Sequence, residues 1–355
     1  MDQRLVKTFW RTLVFACLAI SACATAQEAP IEHPRIVAIG DLHGDYEAYE
    51  ALLREAGLSD RRGRWTGGDT IFVQTGDIPD RGPDSLKIIE HLRKLQTRAK
   101  RDGGQVVTLI GNHESMNVIG DDRYVHPGEY KAFATHRSKR VRDLTFEKNQ
   151  EFLEEVYNRE DPTLTSDQIR QAWLESTPLG KLEHRLAWRA NGEIGRWIAG
   201  NATVALIHGN LFAHGGFSDK FAQFDLDEIN AMTSEALRTE DTADDDILYD
   251  RLGTLWYRGN VLRTKEDNGR ISIEDEVELV LATYNAKRII IGHTTERNGI
   301  RPSVDGRVIQ IDTGISDYYG GAQSWLEIIN GEVTAHNNGV ATPINETTNS
   351  NGEDE

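Results

Sequence analysis

The chain has 355 residues and a formal net charge of -17, from 57 acidic and 40 basic residues. A chain of this length can bury a sizeable core, as one large domain or two smaller ones. Its negative field repels polyanions and makes nucleic acid an unfavourable partner, so a phosphorylated substrate must be held by local cations. The two cysteines, Cys17 and Cys23, lie near the start, which excludes a disulfide framework or a cysteine zinc site in the rest of the chain.

Residues 1–26 have the pattern of an export signal. Basic residues precede the apolar run 12–20, which is too short for a transmembrane helix in the mature protein. Two cleavage sites compete. Ala24-Thr25-Ala26 suits ordinary signal peptidase, whereas Ile20-Ser21-Ala22-Cys23 resembles a bacterial lipobox, which would put a lipid anchor on Cys23. We expect an exported, periplasmic protein, either free or anchored as a lipoprotein.

Three predicted strands follow, and each ends in a polar, glycine-rich motif. The strands cover 35–39, 70–75 and 105–110, which are apolar and β-branched, and helical patterns over 46–57 and 83–103 separate them. The motifs are Gly40-Asp41-Leu42-His43-Gly44-Asp45, Gly76-Asp77-Ile78-Pro79-Asp80-Arg81-Gly82 and Gly111-Asn112-His113-Glu114. Such a β-α-β-α-β series predicts an α/β fold with a largely parallel sheet, whose ligands bind at the carboxyl ends of the strands.

The rest of the chain is interpreted as the remainder of one catalytic domain, 35–335. The charged segment 121–200 is helical in pattern and is interpreted as an insertion or lid over the sheet edge. The later predicted elements are strands 204–207 and 211–213, helices 221–238 and 274–287, and strands 288–291, 308–311 and 324–329. Residues 336–355 are polar, and we expect a disordered tail there.

Six side chains at strand ends are candidate metal ligands: Asp41, His43, Asp77, Asn112, His214 and His293. Asp77 could bridge two ions, and mixed carboxylate, imidazole and amide ligation suits Mn, Fe or Zn better than Ca. Two such ions about 3.5–4 Å apart generate hydroxide and hold both apical oxygens of an in-line displacement at phosphorus. The set therefore predicts hydrolysis of a phosphate ester by two divalent metal ions. His208, also followed by glycine, competes with His214 for one position.

Five further residues are assigned to the acid or to substrate binding. His113 is placed to protonate the leaving oxygen, and Asp80 would hold its imidazole in the acid form. Arg81 and Arg258 have the fork geometry that binds phosphate, although Arg258 could instead stack on an aromatic ring. Tyr319 is either a substrate contact or a core residue.

The ordered motifs resemble those of the PPP-type branch of the calcineurin-like metallophosphoesterases. The shared patterns are Gly-Asp-x-His-Gly, Gly-Asp-x-x-Asp-Arg-Gly, Gly-Asn-His-Glu, a later His-Gly-Gly and a later Gly-His. Within that branch, 112–117, 120–125 and 255–259 are similar to the Shewanella-like protein phosphatases. The resemblance covers about 35–329 and implies a four-layer αββα β-sandwich flanked by helices, a dinuclear site at one edge, and activity on phosphoserine, phosphothreonine or phosphotyrosine. It also implies the same ligands, acid pair and phosphate arginines.

The chain departs from the eukaryotic Ser/Thr enzymes of that branch. It lacks their Ser-Ala-Pro-Asn-Tyr loop and has Asp312-Thr313-Gly314 and Tyr318-Tyr319 instead. The leading hypothesis is a dinuclear phosphomonoesterase acting on a phosphorylated protein or peptide by direct attack of metal-bound hydroxide. The alternative is an exported phosphatase of small molecules such as nucleotides or sugar phosphates. A binding module without catalysis is a third hypothesis, and the presence of His113 with Asp80 argues against it.

Overall fold

The computed structural model describes residues 33–239 and 247–345, and within it one compact unit starts at His33. The predicted export signal in 1–26 and the last ten residues lie outside the described residues. Across the described ranges, no helix combines the length and apolar character that a membrane span requires.

The described residues form eleven strands and ten α-helices. The strands are β1 (Ile36–Ile39), β2 (Ile71–Gln74), β3 (Gln105–Thr108), β4 (Val204–Ile207), β5 (Asn210–Ala213), β6 (Arg288–Ile291), β7 (Arg301–Ser303), β8 (Val308–Gln310), β9 (Ser324–Ile329), β10 (Glu332–Asn337) and β11 (Val340–Ile344). The helices are α1 (Tyr46–Glu55), α2 (Ser85–Arg101), α3 (Asn112–Ile119), α4 (Pro127–Phe133), α5 (Ser138–Glu160), α6 (Ser166–Ser176), α7 (Lys181–Trp188), α8 (Glu193–Ile198), α9 (Leu226–Thr239) and α10 (Ile273–Tyr284).

The strands form two mixed sheets. The first has the order β11-β10-β9-β1-β2-β3 and the second β4-β5-β6-β8-β7. β1, β2 and β3 run parallel, as do β5, β6 and β8, but β9 pairs with β1 in the antiparallel direction. The prediction of a largely parallel sheet therefore describes one side of the first sheet and the three central strands of the second. The antiparallel half arises because β9, β10 and β11 are joined by tight Asn-Gly turns, which favour hairpins.

The two sheets pack face to face with helices on their outer sides. Successive residues of β1 point to opposite faces, so Ile36 and Ala38 join Phe212 and Ile290 in the core between the sheets. Val37 belongs to the cluster beneath α1 and α2, and a third cluster lies between the second sheet and α9 and α10. The four-layer αββα sandwich implied by the family resemblance is confirmed.

The segment 121–200 is helical, as its pattern predicts, and comprises α4 to α8. Arg185 of α7 donates a 2.6 Å hydrogen bond to Val118 O at the end of α3, and Lys181 forms a 2.6 Å ion pair with Asp122. Trp188 is buried in the same cluster as the residues beneath α1 and α2. Arg185 thus joins the helical segment to α3, and Trp188 joins it to the core beneath the first sheet.

The prediction of disorder from residue 336 onward is wrong as far as Ile344. His336 stacks on Trp325 with ring centroids 3.6 Å apart, and the strand β11 pairs with β10. The prediction counted polar residues and overlooked the alternation of buried and exposed positions in β10, together with the Asn338-Gly339 turn into β11. Residues 346–355 lie outside the described part of the chain.

Candidate metal centre

The carboxyl ends of strands from both sheets converge on one edge of the sandwich. Asp41 and Asp77 follow the parallel strands β1 and β2, whereas His214 and His293 follow the paired strands β5 and β6. Asn112 is the first residue of α3, directly after the loop that leaves β3. These five residues and His43 are all buried, the most exposed being His293 at 6%. The structure thus brings together all six side chains predicted as ligands.

Asp77 lies at the middle of this cluster. Its Oδ1 is 3.3 Å from His214 Nε2, and its Oδ2 is 3.8 Å from His43 Nε2. Two groups of potential ligand atoms, each within 4.8 Å of one another, share this carboxylate: His43, Asp77 and His113, and Asp77, His214 and His293. Asn112 Oδ1 adds an amide oxygen 3.0 Å from His214 Nε2. A carboxylate common to two ligand groups is the arrangement that a bridging ligand requires.

Asp41 lies beside both groups rather than inside either one. Its Oδ2 is 4.0 Å from His43 Nε2, and its Oδ1 is 3.9 Å from His214 Nδ1. Both oxygens accept from the backbone N–H of His293, at 3.2 and 3.1 Å. Burial first, and then the nearby carboxylates of Asp312 and Asp77, raise the pKa of Asp41 well above its usual value. A cation at this position would relieve that repulsion.

The histidines are oriented as metal ligands commonly are. His43 Nδ1 lies 3.2 Å from Pro79 O, and His214 Nδ1 lies 3.0 Å from Thr75 O. An Nδ1–H that donates to a carbonyl leaves the Nε2 lone pair free to bind a metal. His293 Nε2 is buried without a hydrogen-bond partner in the described structure. An orphaned ring nitrogen that faces a carboxylate cluster fits a divalent ion.

Burial keeps two of these imidazoles neutral. It lowers the pKa of His43 to about 3, even though the carboxylate of Asp77 acts in the opposite direction. The pKa of His293 falls well below the usual value because of burial and then because of the nearby His214 and Arg258. Since a metal binds only the neutral ring, these side chains are in the form that coordination needs.

His113 is in the opposite electrostatic situation. Its Nδ1 lies 2.5 Å from Asp80 Oδ2, while Asn117 Nδ2 donates to the other Asp80 oxygen at 3.0 Å. Burial lowers the pKa of His113, but the charges of Asp77 and Asp80 outweigh it, so the net pKa is raised. An imidazole kept protonated by a fixed carboxylate suits a general acid.

Glu114 is a residue whose role the sequence analysis missed. Its fully buried carboxylate accepts the backbone N–H groups of Gly111 at 2.7 Å, Asp77 at 2.9 Å and Ile78 at 2.8 Å. It therefore ties the second motif to the third. The available signal was its position: an acidic residue on the first turn of α3 can reach back to the N–H preceding the helix.

The backbone at the site is strained. His43, Asp77, Asp80, Arg81 and His293 have positive φ angles of 44°, 55°, 73°, 67° and 60°. Left-handed conformations of non-glycine residues cost about 1–3 kcal/mol each and persist only where their surroundings impose them. Five of the residues predicted to bind metal or substrate adopt this conformation. We infer that the tight turns fix the directions of their side chains.

Both predicted phosphate arginines lie at the rim of the cluster. The guanidinium of Arg81 lies over the ring of Tyr124 at 4.0 Å and of Tyr318 at 4.9 Å, and its Nη1 donates to Tyr318 Oη at 3.1 Å. Arg258 is exposed, and its Nη1 donates to the backbone oxygen of His293 and, at 3.3 Å, to Thr294 Oγ1. Arg258 is thus anchored to the strand end that carries a candidate ligand.

The last two candidates, Tyr319 and His208, lie in different places relative to the cluster. Tyr319 is half-buried with its ring 5.2 Å from that of His43, and burial raises its pKa to about 12. His208 is exposed in the turn between β4 and β5, where it stacks on His33 at 4.1 Å. Of the two competing histidines, His214 is therefore the one that reaches the cluster.

Residues 34–297 match the family model described as calcineurin-like phosphoesterase. The chain is 33% identical over 289 residues to Shewanella-like protein phosphatase 2 of Arabidopsis thaliana, an alignment that covers 79% of this chain and 71% of that protein. It is 30% identical over 315 residues to an uncharacterised protein of Schizosaccharomyces pombe, covering 85% and 79% of the two chains.

A solved structure shows a similar fold. The crystal structure of a cold-active protein-tyrosine phosphatase from a psychrophilic Shewanella species superimposes with a TM-score of 0.64 at 26% sequence identity. The match covers 88% of this chain and 80% of that one. The similarity therefore extends over most of the chain rather than over the motifs alone.

Proposed function

From the premise that this chain belongs to the calcineurin-like phosphoesterases, and among them to the Shewanella-like protein phosphatases, we propose that it is a dinuclear metal-dependent phosphatase of phosphorylated proteins. The family and the structure support a phosphatase that uses divalent metal ions. We propose in addition the number of ions, the phosphoprotein substrate and the roles of the individual residues.

One observation supports the dinuclear proposal above the others: Asp77 is shared by two groups of buried ligand atoms. In the first group we assign His113 to the acid because its Nδ1 lies 2.5 Å from Asp80, so His43 and the adjacent Asp41 would hold one ion with Asp77. Asn112, His214 and His293 would hold the other. Bound there, two divalent ions would supply the positive charge that polarises a phosphoryl group and activates water at neutral pH. The donor set of imidazole, carboxylate and amide fits Mn, Fe or Zn.

The chain's own residues carry the other parts of the reaction. Arg81 and Arg258 would bind the phosphate oxygens from the rim. His113 would give its proton to the oxygen of the leaving alkoxide or phenoxide, and Asp80 would stabilise the imidazolium before that transfer. No step requires a covalent bond between enzyme and phosphate, because the attacking group is water.

The names of the relatives support a phosphoprotein substrate, since two of them are protein phosphatases and one of these acts on tyrosine. We propose phosphopeptides ahead of small phosphomonoesters on this basis. We also propose that the protein is exported to the periplasm, either free after cleavage at Ala26 or anchored by a lipid on Cys23, and this rests on the sequence of residues 1–26 alone.

A substrate panel on Mn-reconstituted protein tests the proposal. We expect a higher kcat/KM for phosphotyrosine, phosphoserine or phosphothreonine peptides than for nucleoside monophosphates and sugar phosphates. His113→Asn should lower kcat about 100-fold to 10,000-fold, the usual contribution of a general acid, with an unchanged circular dichroism spectrum. His208→Asn is the matched control because that histidine lies in the distant turn and tolerates the replacement. Preference for the small phosphates would shift the assignment to them, and full activity of His113→Asn would refute the acid.

A further inference from the structure

Six exposed cations lie on one helix and on a loop that contacts it. They are Arg61 and Arg62 in the loop before β2, and Lys94, Arg98, Lys100 and Arg101 on α2. The loop is held against the helix because His91 Nε2 lies 2.7 Å from Gly63 O. Within residues 33–239 and 247–345, the ion pairs of the structure include none of these six side chains. We call this surface the basic ridge.

The basic ridge stands out against the charge of the whole chain, which is -17. Four carboxylates lie near it: Asp60, which precedes Arg61 and pairs with Arg64 at 2.6 Å, Glu193, which pairs with Arg93 at 2.7 Å, and Glu90 and Asp102, which flank the cations of α2 in the chain. Charges farther away than about 8 Å are largely screened at physiological salt. The ridge therefore presents a positive surface locally, even though the molecule is acidic.

Open grooves and a tryptophan border the ridge. Two shallow grooves of about 590 Å³ each share Arg93, Thr97 and Arg101 as lining residues. The half-buried Trp197 of α8 lines the second groove, and its Nε1 donates to Gln96 Oε1 at 3.1 Å. A half-exposed indole beside basic side chains is typical of surfaces that meet the headgroup layer of a membrane.

The ridge ends at the edge of the molecule where the described chain begins. α2 ends at Arg101, shortly before β3, and the starts of the three parallel strands lie side by side, with Gln105 N 3.1 Å from Thr70 O and Ile71 N 2.8 Å from Arg35 O. The metal cluster lies at the opposite ends of the same strands. Cys23, the predicted site of lipid attachment, is only a short stretch upstream of His33.

We propose that the basic ridge is a docking surface for anionic phospholipid headgroups, which holds the protein against a membrane with the metal cluster directed away from it. Repeated lysine and arginine side chains along an open helix face suit a plane of phosphate groups better than one enclosed ligand. The predicted export signal, one reading of which puts a lipid on Cys23 ten residues before His33 in the sequence, favours a lipid surface over an acidic protein. The inference rests on the proposed export and not on the phosphatase activity, because its readout is binding.

The test is cosedimentation with vesicles of phosphatidylglycerol and phosphatidylcholine in equal parts, against vesicles of phosphatidylcholine alone. The protein starts at Gln27, the residue that cleavage after Ala26 leaves first, and contains the whole compact unit from His33 onward. We expect binding only to the anionic vesicles, with steep loss as salt is raised. Lys94→Glu combined with Arg98→Glu and Arg101→Glu should reduce that binding at least about tenfold.

The matched control carries the same change of charge elsewhere: Lys131→Glu, Arg140→Glu and Lys148→Glu, three exposed residues of α4 and α5. It should bind as the unchanged protein does, and thermal melts should show that both variants are folded. The proposal is overturned if the ridge variant binds normally, if the control loses as much, if anionic vesicles bind nothing, or if a soluble polyglutamate peptide binds while vesicles do not.

Discussion

At the scale of single residues, the site depends on strained turns that aim buried polar groups. Asp77 has a positive φ, and its carboxylate lies against His43 and His214 while Glu114 holds its backbone N–H. Gly111 and Gly292 complete this packing because a side chain at either would collide with Asp77 Oδ1 or Asp41 Oδ1. Neither the strained backbone nor the close approach of these glycines to the carboxylates can be predicted from residue types alone. A glycine beside aspartate or histidine does indicate the positions where either is expected.

Tyr318 gives a prediction at this scale. Tyr318→Phe removes the hydroxyl that accepts from Arg81 Nη1 but keeps the ring beside the guanidinium. If Arg81 binds the substrate phosphate, its fork becomes less well oriented, and we expect KM for a phosphotyrosine peptide to rise about threefold to tenfold with little change in kcat. Tyr157→Phe, in α5, is the control. Equal KM values in both variants would argue that Tyr318 does not position Arg81.

At the scale of elements, the parallel strands carry the site and the helical segment supports it. The strand-end motifs were predictable because each follows an apolar run, and the strand bounds differ from the observed ones by at most two residues. The order in which the strands pair was not predictable, since β9 pairs with β1 in the antiparallel direction and β10 and β11 follow β9 through short turns. The choice of His214 over His208 was predictable, because His208 falls in a hairpin turn between two short apolar runs, and the pairing of β4 with β5 shows that turn.

His184 in α7 makes the stability of the helical segment depend on pH. It is buried among Tyr130, Phe133 and Trp188, and burial lowers its pKa to about 4 from the ordinary 6.5. The unfolded chain therefore takes up the proton first, so stability is fully present above pH 6.5 and falls as the pH drops toward 4. At pH 5 this one group should cost about 2 kcal/mol.

The comparison is between the metal-free protein and its His184→Phe variant, with the free energy of unfolding measured in urea at pH 7 and at pH 5. The unchanged protein should lose about 2 kcal/mol more than the variant over this interval. Because all other histidines are shared, their contributions cancel in the difference. An equal loss of unfolding free energy in the two proteins would show that His184 does not titrate in this way.

The last hairpin gives a second prediction for an element. A chain that stops after Ala335 loses β11, the end of β10 and the stacking of His336 on Trp325, so its free energy of unfolding should fall by about 1–3 kcal/mol. A chain that stops after Asn345 keeps the hairpin and should change by less than about 0.5 kcal/mol. Equal stability of the two truncated chains, measured by urea unfolding, would mean that the hairpin contributes nothing.

At the scale of the whole molecule, an acidic chain carries a site for anionic substrates. The net charge of -17 is offset near the metal cluster by Arg81 and Arg258 and by the ions that the cluster fits. Composition could show that local cations were needed but not where they lie. The six candidate ligands were predictable from motif order, whereas the role of Glu114 and the tyrosine pair beside Arg81 became evident only from contacts across the fold.

The central claim is that six side chains hold two metal ions around Asp77, and the metal content of Mn-loaded protein tests it most directly. We expect two ions per chain in the unchanged protein, one in His43→Ala, one in His293→Ala and less than one in Asp77→Ala, because Asp77 serves both positions. Asp317→Asn, an exposed carboxylate outside the cluster, should keep two. A single ion in the unchanged protein, or two ions retained in Asp77→Ala, would contradict the claim.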